Sequence, residues 1–435
     1  MLKLNRRRSL AEVAYLWVSA LAGAAFAFGT QIVLARTLSP ADYGRVNAVL
    51  LVYTVLAPMA GMGVAGYWLR TFGALGAEAS AYLKPSFKLS AIGTILATGL
   101  AASWAILAPH DENARIIYFV LIPVLWAMVA VDLLISICQI QQRYIRVSIW
   151  QSLINITRFA VLALAALSAC GLETGSASVL ISLTAASILL AAGRPMWNFY
   201  RTNTRPTLVS SDVRSVFSES WAFALLPFMN FIYFQGGILF VFYFLGEVSS
   251  AYYVAAFTIV SATYVLPAAI FQRYLLPKYH RWYADNREML LLSYRFGNFV
   301  MLLIGGATLL GLLLAGPLLV RLAYGEEYAP AASILAILTF AVPLRYVASS
   351  VGATLLTAQN VRRKIGYMAI TALASVGLTV LFIAWFGFPG AALAAVASDA
   401  VLLILFLYGA RQHVFGSDAL RGWFDVQSHL RVLGR

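Results

Sequence analysis

The chain has 435 residues, 61% of them hydrophobic and only 11% charged, with a mean hydropathy of +0.82. These values lie outside the range of a soluble globular domain. A net charge of +14 would suit a nucleic-acid binder, but the placement of the cations along the chain excludes that class.

A bilayer core about 30 Å thick takes about 20 apolar residues per helix, because every backbone polar group must be satisfied within the segment. In chain order the apolar runs predict helices at 13–35, 46–69, 87–108, 116–139, 147–169 and 177–193. Six more follow at 215–245, 250–272, 289–315, 329–356, 365–386 and 390–410. Nothing alternates over ten residues as a membrane β-barrel would. Lys3 and Arg6-Arg7-Arg8 precede a full-length apolar run, which reads as a retained first helix rather than a cleaved leader. The seventh segment is too long for one straight span and carries Pro227, so an interfacial or kinked start is expected. The tenth holds Pro343. After the twelfth, 411–435 reads as a short amphipathic helix on the inner leaflet, with Leu420, Trp423, Phe424 and Val426 among Arg421 and Arg431.

The connections alternate between basic and cation-poor. With the N-terminus cytoplasmic, 25 of the 31 Lys and Arg fall in seven cytoplasmic stretches: 1–12, 70–88, 140–146, 194–214, 273–295, 357–364 and 411–435. That is the positive-inside pattern, with both termini cytoplasmic, and it points to topology and anionic headgroups rather than nucleic acid. Four cations face the other side, and two, Arg158 and Arg345, are deep in helices five and ten. Cys138 and Cys170 sit near opposite membrane faces and predict neither a disulfide nor a metal site.

The basic loop divides the helices into six and six. The expected organisation is an N-terminal lobe 1–200, a linker 201–214, a C-terminal lobe 215–410 and a cytoplasmic tail 411–435. Residues 31–58 and 238–267 share a pattern offset by about 207 residues. An apolar strip ends in Leu and a polar turn, a small residue and Tyr follow, and an apolar helix leads to Pro58 or Pro267. The fold expected is an all-α polytopic membrane protein, twelve helices in two lobes related by a parallel pseudo-two-fold repeat, as in alternating-access transporters.

An ionisable group at bilayer depth costs several kcal/mol unless a cavity or partner receives it. Arg158 and Arg345 are therefore candidates for a cationic substrate cavity, each able to hold phosphate through a bidentate fork, or for intra-lobe ion pairs. Lys88 is a third cation, near the mouth of helix three, and also fits a snorkelling end residue. Asp132, Glu219 and Asp399 are candidates for ion coupling or for counter-ions, Asp132 to Arg158 and Asp399 to Arg345; Glu219 also fits a place among headgroups. Asn230, Tyr233 and Gln235 on helix seven suit a ligand with sugar rings, or plain helix packing.

The external turns are short, about 10, 7, 7, 4, 13 and 3 residues, which weighs against a membrane glycan polymerase or ligase with an external catalytic loop. His110, His280, His413 and His429 pair with no nucleophile at a motif spacing, and there is no nucleotide-binding loop. The chain is expected to be no enzyme and to hold no metal or cofactor; a proton or sodium gradient is the energy source left open.

The stretch LARTLSPADYGRVNAV (34–49) resembles the first external turn of the polysaccharide transporter, or O-antigen (Wzx-like) flippase, family of the multidrug/oligosaccharidyl-lipid/polysaccharide exporter superfamily. Ala35, Arg36, Leu38, Ser39, Pro40, Asp42, Tyr43 and Gly44 carry the match. LGEVSSAYYVAA (245–256), YGEEYAPAASILAIL (324–338) and TAQNVRRK (357–364) extend it. Ala251 stands where the family usually has Gly, and Gln235 where an acidic residue is usual nearby, which weakens a coupling role for helix seven. The resemblance implies a V-shaped pair of lobes in the bacterial inner membrane. They would move a polyprenyl-diphosphate-linked oligosaccharide to the outer leaflet through a wet cationic cavity. The partners expected are that substrate, membrane lipids and other polysaccharide-assembly proteins, with the chain itself a monomer. A multidrug or toxin antiporter of the same superfamily is the main alternative.

Overall fold

The computed structural model describes residues 6–168, 172–203, 212–356 and 361–425, with side chains outside 6–17, 269, 272–274, 277, 280 and 284. Among the described residues all regular structure is helical. The first six predicted segments become α1 (Arg6–Thr37), α2 (Pro40–Ala60) with α3 (Val64–Leu75), α4 (Leu83–Leu107), α5 (Glu112–Val120) with α6 (Ile122–Ile140), α7 (Tyr144–Ala166) and α8 (Thr174–Asn203). The seventh is α9 (Val213–Leu245). The eighth is α10 (Glu247–Thr263), continued by α11 (Val265–Pro267), a π-helical stretch Ala268–Leu275 and α12 (Leu276–Asp285). Then come α13 (Arg287–Tyr324), α14 (Ala331–Leu338) with α15 (Ala341–Thr354), α16 (Val361–Phe386) and α17 (Phe388–Ala410). Eleven described stretches are long and apolar enough to cross a membrane, and one of them, Pro40–Leu107, contains two of the twelve expected helices.

The breaks have local causes. Leu121 turns between α5 and α6, with Pro123 in the first turn of α6, where its missing N–H leaves no bond unmade. Thr339 and Phe340 part α14 from α15, and Pro343 again falls in a first turn. Pro227, by contrast, lies inside a continuous α9. At 33 residues that helix is about 50 Å long, so it extends past a 30 Å hydrocarbon core without breaking.

The motif at residues 34–49 is a helix-start device. Ser39 Oγ caps α2 by accepting from the Asp42 N–H at 3.2 Å, and Pro40 presets the first turn. Asp42 accepts from Ser39 and from Arg45, and Tyr43, fully buried, donates to Gln31 Oε1 at 2.8 Å. The other arm of Arg45 reaches Asp111, the cap of α5, at 2.9 Å.

The chain divides into two compact units, Met1–Phe231 and Ile232–Arg435, with the boundary inside α9. In the first, α6 packs on α8, α2 on α6, and α7 on α8; in the second, α15 packs on α17, α10 on α14, and α16 on α17. These three pairings recur in both units, fourth with sixth, second with fourth, and fifth with sixth, whereas the packing of α1 on α7 in the first unit has no equally extensive counterpart in the second. The early turns of α9 belong to the first unit because α3 meets them backbone to backbone. Gly63, at φ +67°, would place a Cβ 2.2 Å from Ser220 O and 2.6 Å from Ala224 N. Gly63→Ala should therefore cost about 2–5 kcal/mol, the left-handed backbone and the clash together, and should lower the melting temperature of the purified protein markedly. A variant melting with the wild type would refute the close approach.

The tail departs from the amphipathic helix expected. Residues 411–415 form a π turn and 416–420 a 3-10 turn, and Gly416 and Gly422 take φ of +62° and +75°, which a continuing helix would not allow. The segment instead lies on α13: Tyr294 donates to Ala419 O at 3.0 Å, stacks near Phe415 at 4.5 Å, and Arg295 meets Asp418 at 3.3 Å. Residues 426–435 lie outside the described part.

Candidate functional site

The two deep arginines have opposite surroundings. Arg345 follows Pro343 in the first turns of α15, in the second unit. Its Nε is 3.1 Å from Asp399 Oδ1 of α17, as the sequence pairing anticipated. The N–H is not directed at that oxygen, so the attraction is Coulombic. Tyr233 of α9 supplies the directed bond, its hydroxyl donating to the same Asp399 oxygen. Three rings surround the guanidinium: Phe234 at 4.5 Å, Tyr233 at 4.6 Å and Tyr264 at 5.2 Å from their centroids. Asp399 is 4% exposed and the Arg345 side chain 16%. A buried carboxylate with an arginine beside it, a hydroxyl on it and rings around the partner is an internally neutralised group.

Arg158 has no such company. It lies mid-way along α7, the helix packed on α1, half-buried in the first unit. Its Nε is buried without a hydrogen-bond partner, and among the described residues it makes no ion pair. The pairing expected with Asp132 does not form. Asp132 is exposed on α6, between buried Val131 and Leu133, and makes no ion pair among the described residues. Neighbouring helices bring two residues together only when their rotational phases agree, and here they do not.

Of the other candidates, Glu219 pairs with Arg70 of α3, whose guanidinium also lies 5.6 Å from both the Tyr67 and Phe223 rings. Lys88 is exposed near the start of α4. Asn230 and Gln235 are half-buried and make no side-chain hydrogen bond among the described residues. Asn230 shares a helix face with Tyr233 and Phe234, three and four residues on, whereas Gln235, two from Tyr233, faces elsewhere. Within the second unit the structure brings Arg345, Tyr233 and Asp399 together; within the first, Arg158, Asp132, Glu219 and Lys88 make no ion pair with one another among the described residues.

Two contributors escaped the sequence reading. Tyr264 walls the arginine but carries no motif. Lys364 reads as one more cytoplasmic cation, yet its Nζ donates to Gly352 O at 2.9 Å and lies 5.5 Å from the Phe406 ring. It thus caps the last turn of α15, where carbonyls lack helical partners. Cys138 is buried and free; Cys170 lies outside the described residues.

A family model described as "Polysaccharide biosynthesis protein" matches residues 9–281, more than half of the chain. The chain belongs to that polysaccharide biosynthesis family. Among curated proteins none matches it. Among solved structures, "Lipid II flippase MurJ, inward closed conformation" aligns with a TM-score of 0.68 and 13% identity, covering 96% of this chain and 90% of that one. An inward-facing multidrug resistance MATE family transporter of the MOP superfamily aligns at 0.71 and 15%, over 90% and 94%. The outward-facing structure so described aligns at 0.65 and 17%, over 92% and 95%. At such identities the likeness establishes the fold, that of twelve-helix, two-lobed transporters. This member of the polysaccharide biosynthesis family therefore shares the fold of those structures, and its described residues hold eleven stretches long and apolar enough to cross a membrane.

Proposed function

We propose that the protein moves a polyprenyl-diphosphate-linked oligosaccharide from the cytoplasmic to the outer leaflet of a bacterial inner membrane, by alternating access, for surface polysaccharide assembly. The observation that carries this reading is Arg158. An embedded guanidinium with a buried, unpartnered Nε and no carboxylate is an incomplete ion pair, and a diphosphate completes it with the bidentate geometry that arginine favours. Arg345 is already neutralised by Asp399 and acts in this reading as a strut that fixes α9, α15 and α17. Asn230 and Gln235 retain free hydrogen-bonding capacity for sugar hydroxyls. Asp132, an exposed carboxylate in an apolar span, is the coupling group for protons or sodium. The protein works as a monomer with both termini cytoplasmic, binds no nucleic acid, needs no cofactor and catalyses no covalent step.

Deleting the gene and analysing lipid-linked sugars tests the function. Intermediates should accumulate on the cytoplasmic leaflet and surface glycan should disappear. Unchanged glycan with raised sensitivity to cationic drugs would instead establish a multidrug antiporter.

A further inference from the structure

The first unit carries a polar cavity that no arginine lines among the described residues. It lies at the cation-poor end, where the turns leading into α2, α5 and α8 meet, and its volume is about 540 Å³, within the range of about 300–1,000 Å³ usual for ligand sites. Leu38 and Ile117, both buried, contribute apolar lining, and Asp42, Asn113, Glu173 and Thr174 add carboxylate, amide and hydroxyl groups. Asp42 is not a loose surface acid. Ser39 and Arg45 each hold its carboxylate, and Arg45 is in turn tied to Asp111, so the acceptor is fixed before any ligand arrives. An ionised carboxylate has about four acceptor positions, and these bonds leave some of them open.

We infer that this cavity is a subsite for a neutral or N-acetylated sugar ring of the transported glycan, occupied on the outer face. The chemistry selects that class. An apolar wall suits the C–H face of a pyranose, and oriented carboxylate, amide and hydroxyl groups suit its ring hydroxyls. No Lys, Arg or His lines the cavity among the described residues, while Glu173 and the Arg45-paired Asp42 do, so a diphosphate or a uronic acid finds no cation there to pair with and meets the Glu173 carboxylate. Nor do the described acids group as a metal site would. Diphosphate and sugars are then received at separate places: Arg158 takes the charged head, and this cavity takes part of the glycan. The inference rests on reading the protein as a glycan transporter.

The full chain in nanodiscs, offered glucose, galactose, N-acetylglucosamine, N-acetylgalactosamine and glucuronate singly, tests it by saturation-transfer NMR. At least one neutral sugar should give a signal and glucuronate none. Glu173→Gln and Asn113→Ala alter exposed side chains and should melt with the wild type. The first should raise the dissociation constant on the order of tenfold or more, since it removes a charge-assisted hydrogen bond. Three results would overturn the subsite: no neutral sugar binding above empty nanodiscs, binding indifferent to both variants, or glucuronate binding best. Gly175→Cys crosslinking to a neighbouring protein in cells, with no sugar signal, would assign the cavity to a protein contact and also overturn it. Accumulated lipid-linked sugars in the deletion strain, alongside a silent cavity, would reject this inference and leave the flippase reading standing. Sugar binding with unchanged glycan in that strain would do the reverse.

Discussion

Arg345→Ala should cost the protein about 3–5 kcal/mol of stability and sharply reduce the folded, inserted fraction recovered in detergent. The alanine leaves Asp399, 4% exposed, as a buried carboxylate that keeps, among the described residues, the Tyr233 hydroxyl as its hydrogen-bond donor. It also empties the space among Tyr233, Phe234 and Tyr264. Asp399→Asn should be milder, because the amide oxygen still accepts from Tyr233 and the guanidinium keeps its three rings. Arg345→Met combined with Asp399→Asn should recover most of the loss, since a buried ion pair replaced by well-packed neutral groups is often close to neutral in stability. Melting curves of the wild type, Arg345→Met, Asp399→Asn and the double variant close a double-mutant cycle. Additive effects would mean that the 3.1 Å contact is incidental, and an Arg345→Ala protein melting with the wild type would remove the strut altogether.

The prediction turns on a pairing that the sequence suggested and the fold supplied, and its counterpart in the first unit shows the limits of that reasoning. Both proposals, Asp399 with Arg345 and Asp132 with Arg158, rested on neighbouring helices. Hydrophobic length reports that a helix exists, because the bilayer fixes how many residues must be apolar. It does not report rotation about the helix axis, since the apolar surface of a membrane helix continues all the way round. Asp132 consequently falls on an exposed face, and Glu219 finds its partner 149 residues away in Arg70, a pairing no local pattern encodes.

Helix ends were legible where capping chemistry marks them. Ser39 and Pro40 carry the capping signal that starts α2, six residues before the helix expected from 46 on hydropathy alone, and Gly246, Gly325 and Gly387 take φ between +63° and +98° at three further turns. The break at 61–63 was not legible, because Gly61, Met62 and Gly63 sit within an otherwise unbroken apolar run. The tail misled for a different reason. Leu420, Trp423 and Phe424 with interspersed arginines give the pattern of a membrane-surface helix, but Trp423 sits edge-on to Tyr294 of α13 while Phe424 stays exposed beside Phe299. Amphipathic composition states that an apolar face must be covered, not what covers it.

Arg158→Ala should abolish glycan export while leaving a protein that inserts and melts at or above the wild-type temperature. The sign of the stability change distinguishes this arginine from Arg345. Where a cation already has its carboxylate, removing it strands the partner; where a buried Nε has none, removing it relieves an uncompensated desolvation. Export fails because two charge-assisted hydrogen bonds to a phosphate are lost. At about 1.5–3 kcal/mol each, even one of them weakens binding on the order of 10–150-fold. Arg158→Lys should retain a fraction of transport, keeping the charge at that depth but not the planar fork. Arg158→Gln should behave as the alanine does, since a neutral amide can donate but cannot balance a diphosphate. Surface glycan measured against the amount of inserted protein decides the matter. Normal export in Arg158→Ala would reject the diphosphate role. A loss of folded protein equal to that of Arg345→Ala would show that Arg158, too, is held by the fold rather than kept for a ligand.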